Sequence, residues 1–316
     1  MSAYGNYKLG AYLREFGPSM LIHTGVTRAL RALHAPESLL CSADESKWQY
    51  VVQWLLDNYS DCIVDYNEKR DFSAIERLDS QSPIWVFWWQ GVDWAPRLVK
   101  ACIRSIERNA EEHPVIVITK NNLDDYVQLD GRIIDKAKNG SISFTHLSDV
   151  LRFSLMAQQG GFWFDSTMYM TAPLPAAATE LPYFSQPLGF GPGPWTDFFQ
   201  GSGAGNPFAT SVQNILVKYN LTHEQILTYL LMDCCMRAVY EYSNDYANMV
   251  TAAPNLNNEM FSLTTILDQP YSEEIWSLAK TNSFISKLSY KDSHPVYVGG
   301  KLTFYGKLIS DGSLPQ

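Results

Sequence analysis

The sequence predicts an α/β protein with a mainly parallel sheet, preceded by a helical extension. Three observations carry this. Ile84 to Trp89 and Val115 to Ile118 are almost unbroken apolar runs, the pattern of strands buried on both faces. Pro96 to Asn109 lies between them with Leu98, Cys102 and Ile106 at helical spacing. A further helix and a further apolar run then lead to Phe162-Trp163-Phe164-Asp165. Strand, helix and strand repeated in this way imply βαβ crossovers.

The elements follow in order. Residues 1–80 read as an N-terminal helical extension and residues 81–316 as the α/β domain. Leu21 to Leu33 and Trp48 to Tyr59 carry apolar residues at helical spacing, with Pro18 and Pro36 as punctuation. The first helix sets Arg28 and Arg31 beside Leu21, Ile22, Val26 and Leu30. Such a helix suits peripheral membrane contact, but packing on the rest of the chain with its arginines in water is the favoured expectation. Residues 65–82 are polar and read as a connection. After the helix from Pro96, His113-Pro114 forms a break, and Asn121 to Val127 and residues 131–138 read as short helices. Asn139-Gly140 is a turn. A helix over 146–159, a left-handed cap at Gly160-Gly161 and a strand over 162–165 complete the pattern. Pro173 to Pro194 is rich in Pro, Gly and Ala and reads as loop. Pro207 to Val250 reads as a helical insertion, with Thr222-x-x-Gln225 as a capping box. Near the end, Leu302 to Tyr305 reads as a weak strand.

Composition narrows the function. A chain of 316 residues with 46% hydrophobic content supports a sizeable core. The net charge of −9 and the lack of a long basic run argue against nucleic-acid binding through phosphates. Cys41, Cys62, Cys102, Cys234 and Cys235 show no metal spacing and read as reduced, buried residues of a cytosolic protein. No signal peptide and no apolar stretch of membrane-spanning length is expected.

The densest chemistry lies between Ser148 and Thr167. Asp149 and Arg152 are three apart, so they share a helix face. Asp165 stands at the tip of the following strand. Ligands of such sheets bind beyond the carboxyl ends of the strands, and Phe87 to Gly91 and Asp165 to Thr167 are both such ends. Two acids and a guanidinium converging there suit a polar ligand with hydroxyls and phosphates. Trp88 and Trp89 offer rings beside Phe87 for a flat base, or belong to the core.

The string Ser-Asp-x-x-Arg followed by Gly-Gly-x-x-x-Asp resembles the core motif of glycosyltransferase family 32, closest to the bacterial capsular polysaccharide synthesis branch. Pro83 to Gly91 resembles its opening strand, and Pro96, Val99, Cys102 and Ser105 its next helix. Thr145 to Asp149, Trp195-Thr196-Asp197-Phe198-Phe199, Gly205-Asn206-Pro207 and Tyr305-Gly306 also fit, so the resemblance covers roughly residues 83–310. It implies a GT-A-like, Rossmann-like fold. It also implies hexose transfer from a UDP-sugar, UDP-glucose or UDP-galactose, with retention of configuration. The acceptor it implies is a lipid-linked capsular or exopolysaccharide oligosaccharide at the inner face of the plasma membrane.

The resemblance assigns catalysis to Asp149, Arg152 and Asp165, and donor binding to Phe87, Trp88, Trp89, Ser148, Gly161 and Thr167. Trp195, Asp197, Tyr229 and Asp233 are the acceptor candidates, with Gln200 beside them; Tyr229 and Asp233 are four apart, as on one helix face. Most enzymes of this fold hold Mn²⁺ or Mg²⁺ with Asp-x-Asp, whereas this chain has Asp165-Ser166-Thr167. The metal expectation therefore falls on Asp165 and Thr167, with His294 as a further ligand. Asp292, Lys301 and Lys307 are further candidates for a ligand or phosphate contact, and His146 is expected to orient the loop rather than to act as a base. A silent nucleotide-sugar-binding subunit of another transferase and a non-enzymatic sugar-binding protein are the alternatives.

Overall fold

The computed structural model of the chain describes residues 9–256 and 258–311. The helices are α1 (Leu9–Ala32), α2 (Glu37–Tyr59), α3 (Glu68–Asp71), α4 (Arg97–Asn109), α5 (Leu123–Tyr126), α6 (Gly131–Lys138) and α7 (Phe144–Gln159). After them come α8 (Pro207–Thr222), α9 (Leu231–Tyr242), α10 (Asn244–Thr251), α11 (Glu273–Asn282) and α12 (Phe304–Asp311). The strands are β1 (Ile84–Phe87), β2 (Val115–Ile118), β3 (Gly161–Phe164), β4 (Met168–Met170) and β5 (Tyr183–Ser185). The last four are β6 (Phe199–Ser202), β7 (Ile285–Lys287), β8 (Tyr297–Val298) and β9 (Lys301–Leu302).

The central sheet has the order β2-β1-β3-β6-β5. β1 runs parallel to β2 and β3, while β6 is antiparallel to β3 and β5. Four strands therefore share one direction and β6 is reversed. This is the expected α/β fold with a mainly parallel sheet. Alternation sorts the side chains to two faces. Trp85, Phe87 and Trp163 join the core that includes Leu151, Leu155, Phe208 and Leu231, from α7, α8 and α9. Ile84, Val86, Phe162 and Phe164 face the other way, onto Val99, Ile103 and Ile106 of α4.

The N-terminal helices pack against the same core as the first sheet face. Tyr12, Phe16, Met20, Val51, Val52 and Leu55 are buried there. The Tyr12 hydroxyl donates to the Leu227 carbonyl at 2.6 Å, and the Phe16 ring stacks on His223 at 5.5 Å. Arg237 of α9 closes an ion pair with Glu45 of α2 at 2.8 Å. Ile22 and Val26 instead point outward, at 65% and 47% exposure, and Arg28 is exposed with them. Arg31 pairs with Asp44. The helices begin earlier than their apolar spacing suggests. Gly17, at φ 75° and ψ 176°, interrupts α1, and Pro18 starts the next run, where its missing N–H costs nothing.

Several local expectations are corrected. The supposed loop over 173–194 contains β5, whose Tyr183 and Phe184 are fully buried beside β6. Thr222 opens no helix: it closes α8, with its hydroxyl donating to the Lys218 carbonyl. The terminal strand is only Lys301–Leu302, and Phe304 onward is helix, because Phe304, Leu308 and Ile309 bury one face against the rest of the chain. Cys102, Cys234 and Cys235 are buried and unpaired as expected, but Cys41 is exposed and Cys62 half-buried.

One small ladder bears on the site. β4 follows Asp165-Ser166-Thr167 directly and pairs antiparallel with β7, with Met168 opposite Lys287. The Leu288 amide donates to the Thr167 carbonyl at 2.9 Å. A lysine from late in the chain is thereby fixed beside the end of β3.

Candidate functional site

The site begins with α7. Ser143 caps it, its hydroxyl accepting from the His146 amide at 3.0 Å. His146 is buried with Nε2 2.9 Å from Asn220 Oδ1, which ties α7 to α8. Burial drives its pKa down to about 4 against the pull of Asn220, so the imidazole is neutral at pH 7 where it links α7 to α8.

Two turns further on, Arg152 is the hub. Its Nη2 lies 3.1 Å from Asp165 Oδ1 and 3.6 Å from Asp149 Oδ1, and its Nη1 donates to the Asp197 carbonyl. The guanidinium stands 5.1 Å over the Trp163 ring, and the Trp163 indole donates to Asp165 Oδ1 at 2.9 Å. Lys287 Nζ reaches the other oxygen of Asp165 at 2.5 Å and lies 5.0 Å over the Phe198 ring. The sequence motif alone did not reveal Lys287: no local pattern surrounds it, and only the β4–β7 register brings it here.

Exposure separates the roles. The Arg152 side chain is sealed at 3%, whereas Asp149 keeps 15%, Lys287 22% and Asp165 27%. The guanidinium forms the floor, and the two acids and the ammonium open to the surface. Arg152 Nε is buried without a partner among the described residues, so the hub has one unmet donor.

Electrostatics split the acids. Burial alone would raise Asp165, but Lys287 and Arg152 more than offset it and hold the carboxyl below its ordinary range. Asp149 goes the other way. Burial pushes it well up, Arg152 pulls it back, and Asp197, Asp233 and Asp165 add to the push. Asp233 rises to about 7 through burial and the nearby Asp197, against the indole N–H of Trp195, which donates to it at 3.1 Å. Burial, and then Asp149, Asp197, Asp165 and Asp233, raise the Tyr229 hydroxyl. That phenol therefore borders the same acidic cluster.

The remaining candidates fall into place around this hub. Phe87 is buried in the core, and Trp89 stacks on Phe144 at 5.2 Å. Trp88 meets Tyr290 edge-on at 5.5 Å, and its indole N–H is buried without a partner among the described residues. Ser148 is half-buried and donates to the Thr145 carbonyl. Gly161 stands at the amino end of β3, the far end from Asp165, so its place is in sheet packing. Its φ is +100°, and a Cβ there would lie 2.4 Å from the Pro83 carbonyl oxygen. Trp195 is buried; Gln200 donates to the Asp197 carbonyl at 3.2 Å and accepts from Tyr183 at 2.6 Å. Tyr229 is half exposed and precedes α9, so it and Asp233 do not share a helix face. Asp292 and Lys301 are exposed, and Lys307 lies 5.9 Å over the Tyr271 ring.

The donor set does not fit a divalent metal ion. Both oxygens of Asp165 are engaged, one by Arg152 and Trp163 and the other by Lys287. His294 is turned to Asp268, 2.8 Å from its Oδ1. Among the described residues no three His, Cys, Asp or Glu side chains are placed to hold a metal. Hard divalent cations favour several oxygen ligands, and Thr167 adds one neutral hydroxyl.

Fold and site together define an α/β protein with a polar, carboxylate-rich site at the carboxyl ends of its parallel strands. Residues 41–308 match the family described as Capsular polysaccharide synthesis protein, and the chain belongs to that family. No curated protein matches it. Among solved structures it is similar to "PaToxG Glycosyltransferase", with 12% identity over 65% of this chain and 84% of that one and a TM-score of 0.41.

Proposed function

We propose that the chain is a retaining glycosyltransferase that moves a hexose from a UDP-sugar to a lipid-linked capsular or exopolysaccharide oligosaccharide. The single observation behind this is the hub in which Arg152 gathers Asp149, Asp165 and the Asp197 carbonyl at the end of β3. Family membership supports the pathway. Carboxylates and their partners make directed hydrogen bonds, which suit sugar hydroxyls. Asp149, which keeps part of its surface, takes hexose hydroxyls, while Arg152 holds it and Asp165 in place from below. The base lies toward Trp88 and Tyr290, whose rings meet edge-on at 5.5 Å. The acceptor enters past Tyr229, with Asp197, Asp233 and Trp195 behind it.

In the step, the bond from the anomeric carbon to the phosphate oxygen breaks, and its electron pair leaves with the diphosphate. The acceptor oxygen forms the new bond on the same face, and its proton passes to the departing phosphate oxygen. Such a route needs no separate base. A lipid-linked acceptor places the work at the inner membrane face. Among the described residues no helix is long and apolar enough to cross a membrane, and the exposed Ile22, Val26 and Leu33 are available for peripheral contact.

The test is nucleotide release and donor binding with purified protein across a panel of nucleotide sugars, beside Asp165→Ala. One donor is expected to be bound and turned over. The variant is expected to lose about 10²-fold or more in rate, the scale of one charge-stabilising group. No binding and no release from any donor would overturn the reading.

A further inference from the structure

A diphosphate leaving group gathers negative charge as the glycosidic bond breaks, and catalysis requires positive charge positioned to meet it. Among the described residues, Arg152 and Lys287 pair with Asp165. Arg152 is almost sealed from solvent, and its Nη groups are occupied by Asp149, Asp165 and the Asp197 carbonyl. Lys287 is different. It keeps 22% of its side-chain surface and gives one hydrogen bond to Asp165 Oδ2. An ammonium has three donors, so two remain for oxygens of a ligand. Its position is held by the ladder with β4, and the Leu288 amide next to it anchors the Asp165-Ser166-Thr167 turn. The Phe198 ring lies 5.0 Å from its Nζ and offers a cation–π contact that supports the charge there. The carboxylate that a metal would need is already neutralised by this ammonium.

We propose that Lys287 is the resident cation for the donor diphosphate, so that this chain binds its nucleotide without a divalent metal. This rests on the sugar-nucleotide reading of the site.

The experiment is calorimetric titration of the full chain with UDP, GDP, ADP and CDP, once with EDTA and once with Mn²⁺. Lys287→Met and Lys287→Arg are titrated beside the parent, and their melting temperatures are recorded. One nucleotide is expected to bind equally well, within about threefold, in both buffers, and Lys287→Met to weaken it about tenfold or more. Lys287→Arg, which keeps the charge, is expected to stay within about threefold of the parent. Binding that appears only with Mn²⁺ would overturn the Lys287 assignment. So would parent-like binding by a folded Lys287→Met. Should Lys287→Met not fold, binding by the parent in EDTA and by Lys287→Arg decides the matter. Absence of binding by every nucleotide in both buffers would instead overturn the sugar-nucleotide reading, and the Lys287 role with it.

Discussion

Asp149 and Arg152 share a helix face but carry opposite risks for the fold. Removing the buried Arg152 guanidinium takes the ion pair from Asp149 and one of two from Asp165, so Arg152→Ala is expected to cost about 3–5 kcal/mol in urea denaturation. Asp149 is pushed by burial toward its neutral form, so Asp149→Asn is expected to leave stability within about 1 kcal/mol while nucleotide-sugar turnover falls about 10²-fold. Asp233 gives a pH prediction. Its folded pKa, raised to about 7, means the native state holds a proton that the unfolded chain releases near the ordinary value of 3.8. Its contribution is full below that value and is lost as pH rises toward 7. Asp233→Asn is therefore expected to raise the melting temperature relative to the parent more at pH 8 than at pH 5. Asp165 has the opposite sign: its lowered pKa stabilises at neutral pH and the benefit fades as acid protonates it.

At the scale of elements, the helix–Gly-Gly–strand unit was legible because every signal in it is local. Spacing put Asp149 and Arg152 on one face, and the apolar run put Asp165 at a strand tip. Gly161 was legible as a punctuation mark but not in its purpose, which depends on Pro83 and Trp85 from a neighbouring strand. Gly161→Ala should destabilise the protein by at least about 2 kcal/mol, because the new Cβ meets backbone and the positive φ disfavours it; thermal melting would show it. Lys287 and β5 were illegible for one shared reason. Each is defined by pairing with a distant segment, β7 with β4 and β5 with β6. Tyr229 and Asp233 erred in reverse: sequence spacing implied a shared helix, but α9 starts after the tyrosine.

Across the whole molecule, the α/β order was readable from alternating strands and helices, whereas the reversal of β6 was not, since no local residue encodes strand direction. Packing of the first helix on the rest of the chain was the favoured expectation and holds, but apolar spacing did not show that α1 and α2 join one core with α7, α8 and α9. A chain beginning at residue 65 would expose Tyr219 and Leu227, both buried at 1–2% exposure. Such a truncation is expected to aggregate, which size-exclusion chromatography would reveal, whereas an independent C-terminal unit would elute as a single folded species.

Trp163 occupies an unusual optical position. Its indole N–H is bonded to Asp165 and its ring lies beneath the Arg152 guanidinium. The emission of an indole responds to charge beside its ring, so a ligand that draws on Asp165 or Arg152 is expected to shift the fluorescence of Trp163. Replacing it with phenylalanine subtracts that signal from the other eight of the nine tryptophans. The chain thus carries its own reporter at the centre of its site, readable in solution without a label.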